Sequence, residues 1–361
     1  GKHTLTIGTH NEFYDINNVF VRQNFGAYRF DDIAGFLANT PTQFDRSYSL
    51  VDNVTGDGTS AAAAFKAMQV GFYVQDEVQV NDKLRLTGGI RVDIPFFLDD
   101  PKETVDWGTT KIAIESSGND LKGAESGKAP GAQLLVAPRV GFNYDLKGDQ
   151  TTQIRGGLGV FTSRIPFVWP GGMFNNNGVS VGGTRQFADT VNLAFLQFNA
   201  DPNNQPTVGN FGGTDSTPQG QLDLFADDFK YPQVFRTSIA VDQKLPWGMI
   251  GTIEFIYTKT INNIFYQNVN LKPSVENFGG ADNRPIFDRR DEIDDRYTRI
   301  MVGSNTSEGH TANFTVSLTK PWENGLTASL SYNYGTAHAV FEGTSSQNSS
   351  QWRGVYSIEG R

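Results

Sequence analysis

The sequence predicts an all-β fold, an antiparallel sheet that crosses a lipid bilayer as part of a β-barrel. Three observations predict it. Apolar and polar residues alternate over eight segments of strand length, short turns alternate with long polar connections, and one face of the segments is almost free of charge. Composition agrees: Gly is 39 and Phe 27 of 361 residues, and charged residues make up 19%, where ~7% Gly and ~25% charge are usual.

The alternation can be followed along the chain. From Met68 to Val80 the even positions read Met, Val, Phe, Val, Asp, Val, Val, and after Asn81 and Asp82 the pattern resumes at Leu84, Leu86, Gly88, Ile90, Val92 and Ile94. That is a hairpin. A second runs through Val140, Phe142, Tyr144 and Leu146, the turn KGDQ, then Ile154, Gly156, Leu158 and Val160. The third joins Phe235–Val241 to Met249–Tyr257 through LPWG, and the fourth joins Ala312–Leu318 to Leu326–Tyr334 through KPWENG. An outward strand near His3 to Phe13 and the start of another near Trp352 to Ile358 bring the count to about ten passes.

The connections run from Leu98 to Ala137, Thr162 to Pro232 and through 260 to 296, far beyond the ~15 structureless residues a compact domain carries. Short turns on the periplasmic side and long loops outside are the asymmetry of an outer-membrane barrel. Charge fixes the faces. One face of the eight strands holds a single charged residue, Asp76; the other holds Glu77, Arg85, Arg91, Asp93, Arg139, Asp145, Arg155, Arg236, Asp242 and Glu254. Lipid-facing Arg or Lys near the midplane costs roughly 2–4 kcal/mol, so the uncharged face is read as lipid-facing and the ten charges as lumen-facing. Arg91 and Asp93, two apart on one face, are a candidate pair. A soluble sandwich is the competing architecture, but it predicts short connections at both ends.

Two aromatic girdles are expected, with Trp247 and Trp322 in the short turns and Phe96, Phe97, Phe161, Phe167 and Trp169 at the opposite interface. The first and last segments have no evident closing partner, and Gly360 and Arg361 do not supply an aromatic C-terminus, so the chain reads as a slice of a larger barrel. No run of 18 apolar residues occurs and mean hydropathy is -0.39, which excludes a membrane helix. The net charge of -9 argues against nucleic acid as a partner, and the absence of cysteine removes disulfides and thiolate chemistry.

FYVQDEVQV at 72–80, LRLTGGIRVD at 84–93, APRVGFNYD at 137–145 and RGGLGVF at 155–161 resemble the hairpins of TonB-dependent outer-membrane transporters, and are most similar to the Oar-like branch of Bacteroidota. The resemblance covers most of Phe65 to Tyr334. It implies a 22-stranded barrel in the outer membrane of a Gram-negative bacterium, of which residues 1–361 are part of a single barrel domain, with the plug domain and the C-terminal strands absent. It further implies uptake of a substrate of siderophore, glycan or peptide class. The implied partners are outer-membrane lipid, the plug domain of the full-length protein, TonB through a missing N-terminal region, and a surface lipoprotein.

No catalytic constellation is present, and neither enzyme activity nor a cofactor is expected. His3, His10, His310 and His338 are scattered in sequence and none has metal-ligand spacing with another. The run DRRDEIDDR at 288–296 lacks calcium-loop spacing and carries its own arginines. Gly156, Gly157 and Gly159 lie in a strand, with no helix or Lys-Ser/Thr after them. In the loop IPFVWPGGMFNNNG at 165–178, aromatic rings beside amides suit sugar or peptide capture and equally suit packing of the loop on itself. Arg164, Phe167, Trp169 and Phe174 are the substrate-binding candidates. The alternatives are a passive porin-like channel and a secreted β-rich binding or adhesion protein.

Overall fold

A computed structural model describes residues 2–51, 58–188, 196–207, 220–281, 283, 285–287, 292–340, 343 and 345–354. In chain order the strands are β1 (His3–Asn18), β2 (Ala27–Arg29), β3 (Gln43–Ser49), β4 (Ala63–Asn81), β5 (Leu84–Phe97), β6 (Leu135–Asp145), β7 (Thr152–Thr162) and β8 (Val181–Phe187). They continue with β9 (Gly220–Phe225), β10 (Gln233–Leu245), β11 (Met249–Asn268), β12 (Glu276–Asn277), β13 (Pro285–Ile286), β14 (Tyr297–Thr306), β15 (His310–Pro321) and β16 (Thr327–His338). Among the described residues four short α-helices accompany them: α1 (Ile33–Leu37), α2 (Trp107–Ser116) and α3 (Gly172–Asn175) between strands and α4 (Asn348–Arg353) after the last.

Nine strands form one antiparallel wall in the order β1, β4, β5, β6, β7, β10, β11, β15, β16. All four expected hairpins are present, and the first strand pairs along its whole length with β4. The wall does not close among the described residues; β1 and β16 are its edges. Each turn has a local cause. Asn81 Oδ1 accepts from the Lys83 and Leu84 N–H groups at 2.9 and 3.0 Å, and Asp145 accepts from Gly148 and Gln150 at 2.9 and 2.8 Å. At the turn after β10, Trp247 and Gly248 take φ of 62° and 70°, a left-handed pair that reverses the chain.

Wall strands alternate strictly, so the two faces differ. The outer face is apolar and bare: Ile7, Phe72, Val140, Leu158, Ile239, Ile253, Phe314 and Leu330 are all exposed. An uncovered apolar surface of this extent is sustained by hydrocarbon, since soluble monomers rarely expose a patch beyond a few hundred Å². The inner face carries the charges and is roofed at one end by the long connections. Phe65, Ala67, Leu135, Ala137, Ile264 and Tyr266 from the wall pack there with Ile165, Trp169, Met173, Phe174, Phe225 and Phe229 from the connections.

Where they are described, those connections are folded, not structureless. β2, β3 and β8 form a small antiparallel sheet, and β9 lies parallel to β14. β11 continues as a strand to Asn268, because its outer end, Asn263 to Asn268, pairs with β14 while Ile250 to Lys259 pair with β15. Ile300 and Val302 of β14 face a second core with Trp107 and Ile114 of α2, whereas Met301 faces the first.

Two expectations are corrected. The strand expected from Trp352 is a helix at its start, α4, held to the roof where Trp169 Nε1 donates to Ser345 O at 2.9 Å and Asn348 Nδ2 to Trp169 O at 3.1 Å; residues 355–358 lie outside the described residues. The outer-end girdle is mostly internal. Phe97, Phe167 and Trp169 pack in the inner core, and Phe161 lies under the Arg139 guanidinium on the inner face, 4.5 Å from its carbon to the ring centre. Parity explains this: Phe97 shares its side of β5 with Arg91 and Asp93, and only Phe96 stays on the outer face.

Candidate functional site

The inner face is a lattice of short-range ion pairs. Arg91 grips Asp93 with Nε and Nη2 at 2.7–3.0 Å, and Gln69 Nε2 donates to the same carboxylate at 3.1 Å. Gly71 makes the room, since a Cβ there would lie 2.8 Å from Asp93 Oδ1. Arg155 spans three strands, donating from Nε to Asp242 at 2.9 Å and from Nη1 to Glu254 at 3.1 Å. Arg85 meets Glu77 at 3.4 Å.

The remaining sequence candidates on this face have other partners. Arg236 donates to Thr258 Oγ1 at 3.1 Å, Arg139 lies over Phe161, and buried Asp145 caps its own turn instead of pairing with a cation. Asp76, which interrupts the apolar face of β4 near its turn, is met from the neighbouring strand by His3 at 2.7 Å; Asp15 and Lys66, opposite each other at the far end of the β1–β4 ladder, share that side of the wall.

The four loop candidates separate by exposure. Trp169 and Phe174 are buried: Phe174 stacks on Phe65 at 4.3 Å with 9° between planes, and Trp169 meets Tyr266 edge-on at 6.5 Å. Phe167 is half-buried against Tyr14 at 4.6 Å, and Arg164 pairs with Glu12 while staying largely exposed. The loop is therefore fastened to the inner wall by its rings, with Arg164 at the water boundary.

A cleft that sequence reasoning did not find lies among the connections. It is a solvent-open cleft of about 230 Å³ between β3, β8, β9, β14 and the segment before α4. Arg22, Arg185 and Arg299 line it, with Asp45 on the wall and Asp223 at its floor. Asp45 is held by Arg185 at 2.6 Å and Arg29 at 3.8 Å. Among the described residues, Arg22, Arg299 and Arg353 have no carboxylate within 4.0 Å. Burial, then the neighbouring cations Arg185, Arg353 and Arg22, pull the Arg299 guanidinium down to about 10. Arg353 is lowered in the same way, by burial and then by Arg22, Arg185 and Arg29.

Asp223 is fully buried, which pushes its carboxyl up to about 6, against hydrogen bonds from Asn176 at 2.8 Å and Gln221 at 2.7 Å that hold it down. Arg46, next to Asp45 in β3, also borders the cleft, but its guanidinium is engaged by the Asn24 and Pro206 carbonyls at 3.0 and 3.1 Å.

An apolar outer face, a charged inner face and short turns at one end are the marks of a membrane-spanning barrel wall. The description "Outer membrane beta barrel domain" matches residues 1–359. The chain belongs to this family. It is an outer-membrane protein.

Among solved structures it is similar to a mutant of the ferric enterobactin receptor PfeA of Pseudomonas aeruginosa, with 11% identity over 81% of this chain and 34% of that one and a TM-score of 0.40. It is also similar to the outer membrane transporter YddB of Escherichia coli, with 12% identity over 93% and 31% and a TM-score of 0.45. For the copper transporter OprC the values are 10%, 92%, 38% and 0.39. The chain spans about a third of the length of these structures. No curated protein gives a match.

In an outer-membrane barrel domain the bare face of the wall meets lipid, and the His3–Asp76 pair sits on that face close to the Asn81 turn. The arginine cleft belongs to the outer connections. Its residues, 22, 45, 185, 223 and 299, are far apart in sequence, so no local motif announces them. The histidines called scattered are not all so in space: His310 and His338 face each other across β15 and β16 with rings 5.6 Å apart.

Proposed function

We propose that this barrel domain is the wall of a TonB-dependent transporter, of the Oar-like type, that takes up a solute across the outer membrane. The observation that carries this reading is the roof. The connections between wall strands pack directly on the inner face, Phe174 on Phe65 and Met173 and Phe225 beside Tyr266, at the end opposite the short turns. A roofed wall suits gated passage more than free diffusion.

The neutral Arg91–Asp93 pair and the Arg155–Asp242–Glu254 triad, which keeps one net negative charge, supply a wet lining of low net charge, suited to a surface against which a plug domain slides or docks. On this reading the ten inner charges line the lumen, the plug and the contact with TonB belong to the rest of a longer polypeptide, and a surface lipoprotein can cover the loops. Residues 1–361 are then one part of a single barrel domain, and the protein is a transporter with no enzymatic step.

Full-length protein in a planar bilayer, without energy input, tests this: no steady conductance is expected, and uptake in cells should vanish when TonB is deleted. A stable open conductance of the intact protein, or uptake indifferent to TonB, would replace this reading with the passive channel.

A further inference from the structure

We propose that the cleft between β3, β8, β9 and β14 binds an oxyanion carrying two or more negative charges on phosphate or carboxylate groups, held by Arg22, Arg185 and Arg299. Where that ligand is the cargo, the proposal rests on the transport reading above; the binding itself does not.

The argument is one of charge and enclosure. Arg22, Arg185 and Arg299 line a space whose carboxylates are Asp45 and Asp223, and Arg353 and Arg29 stand close enough behind it to act on them. Asp45 is already shared by Arg29 and Arg185. Asp223 lies beneath the cleft, bonded to Asn176 and Gln221. Among the described residues Arg22, Arg299 and Arg353 make no ion pair within 4.0 Å; Asp45 acts on Arg299 and Arg353, and Arg299 on Asp223, from further off, while cations placed together in a partly buried site repel and lose hydration.

A chain of net charge -9 that gathers three guanidinium groups against two already engaged carboxylates at one cleft is arranged for an anion from outside. Guanidinium forks match the planar oxygens of carboxylate and the oxygens of phosphate, and several around one cavity favour a multivalent ligand over a single chloride. The Thr298 and Asn176 side chains, which also line the cleft, add neutral polar contacts.

Two sources carry this chemistry: a free polyanionic solute, and the phosphates of the lipopolysaccharide headgroup in the outer leaflet. The test is calorimetric titration of tripolyphosphate into the full-length protein in detergent and, in parallel, in nanodiscs with and without phosphorylated lipid A. Saturable binding in detergent, weakened by salt and by about tenfold in both Arg22→Gln and Arg299→Gln, is the expected result, with Arg299→Lys in between. If lipid A abolishes tripolyphosphate binding, the headgroup is the occupant; if binding persists beside lipid A, it is a free solute.

No saturable heat at millimolar tripolyphosphate in any format, or unchanged affinity in both glutamine variants, overturns the proposal. Arg22 lies outside every strand of the wall, so Arg22→Gln keeps the test meaningful if Arg299→Gln fails to fold. Because binding is read without TonB, failure of the uptake experiment leaves this result standing, and failure here leaves the transport reading intact.

Discussion

His3 Nδ1 lies 2.7 Å from Asp76 Oδ2 across the β1–β4 pair, so an acidic residue on the lipid side of the wall has a partner on the next strand. Both side chains keep contact with the surroundings, at 66% and 39% exposure, and charges close to the interface cost little, roughly 0–1 kcal/mol. His3→Ala should therefore destabilise the barrel by no more than about 1 kcal/mol, and His3→Ala combined with Asp76→Val should recover most of that. Urea unfolding in lipid vesicles reads both; strict additivity of the two substitutions would show that the pair is not coupled.

Among the described residues, Arg155 ties three wall strands through two carboxylates. Arg155→Leu leaves Asp242 and Glu254 facing each other without a cation, and a loss of about 1–3 kcal/mol is expected because the site is half-exposed. Adding Glu254→Gln to Arg155→Leu should return part of the loss. Vesicle unfolding midpoints decide this, and equal stability of the single and double variants counts against the triad.

Trp169 and Phe174 are buried in the roof, whereas Trp247 is 80% exposed at a turn. Trp169→Ala and Phe174→Ala should each cost about 3–5 kcal/mol of local stability, and Trp247→Ala within about 0.5 kcal/mol. Limited proteolysis of the connection between β7 and β10 measures it: the first two variants should be cut much faster than the wild type and the third should not. Equal cutting rates would place the rings outside the core.

Asp223 gives a pH signature. Its carboxyl is raised to about 6 in the fold from 3.8, so between those values the folded chain holds a proton that the unfolded chain has released. Stability from this group is therefore present below pH ~4 and is lost as pH rises through about 6, by at most about 3 kcal/mol. The stability difference between wild type and Asp223→Asn should change over pH 4–6 in the wild type's disfavour as pH rises. Thermal unfolding in detergent at several pH values reads it, and a constant difference across that range would refute the assignment.

The wall was legible in the sequence because period-two alternation, turn residues and the one-sided charge are local signals that a bilayer enforces. Asx-type turns at Asn81 and Asp145 follow from side chains a few residues from the groups they cap. The roof was not legible. Trp169 and Phe174 sit in a Gly- and Asn-rich stretch whose composition suits an exposed loop, and only contact with Phe65 and Tyr266 from distant strands buries them. The same holds for α4, where the contacts of Trp169 with Ser345 and Asn348 override the expected strand. The arginine cleft draws on five segments, and Arg22, Arg185 and Arg299 look like ordinary solvated cations until the fold brings them together.

β11 is 20 residues long and changes neighbours along its length, from β15 inside the wall to β14 beyond it. The outer platform is thus not hung from the wall by a slack tether at this point but grows out of it as one continuous ribbon. A tug on the platform along that ribbon would load many backbone hydrogen bonds in shear at once, so any swinging of the roof must occur about the other connections, with β11 as the stiff post.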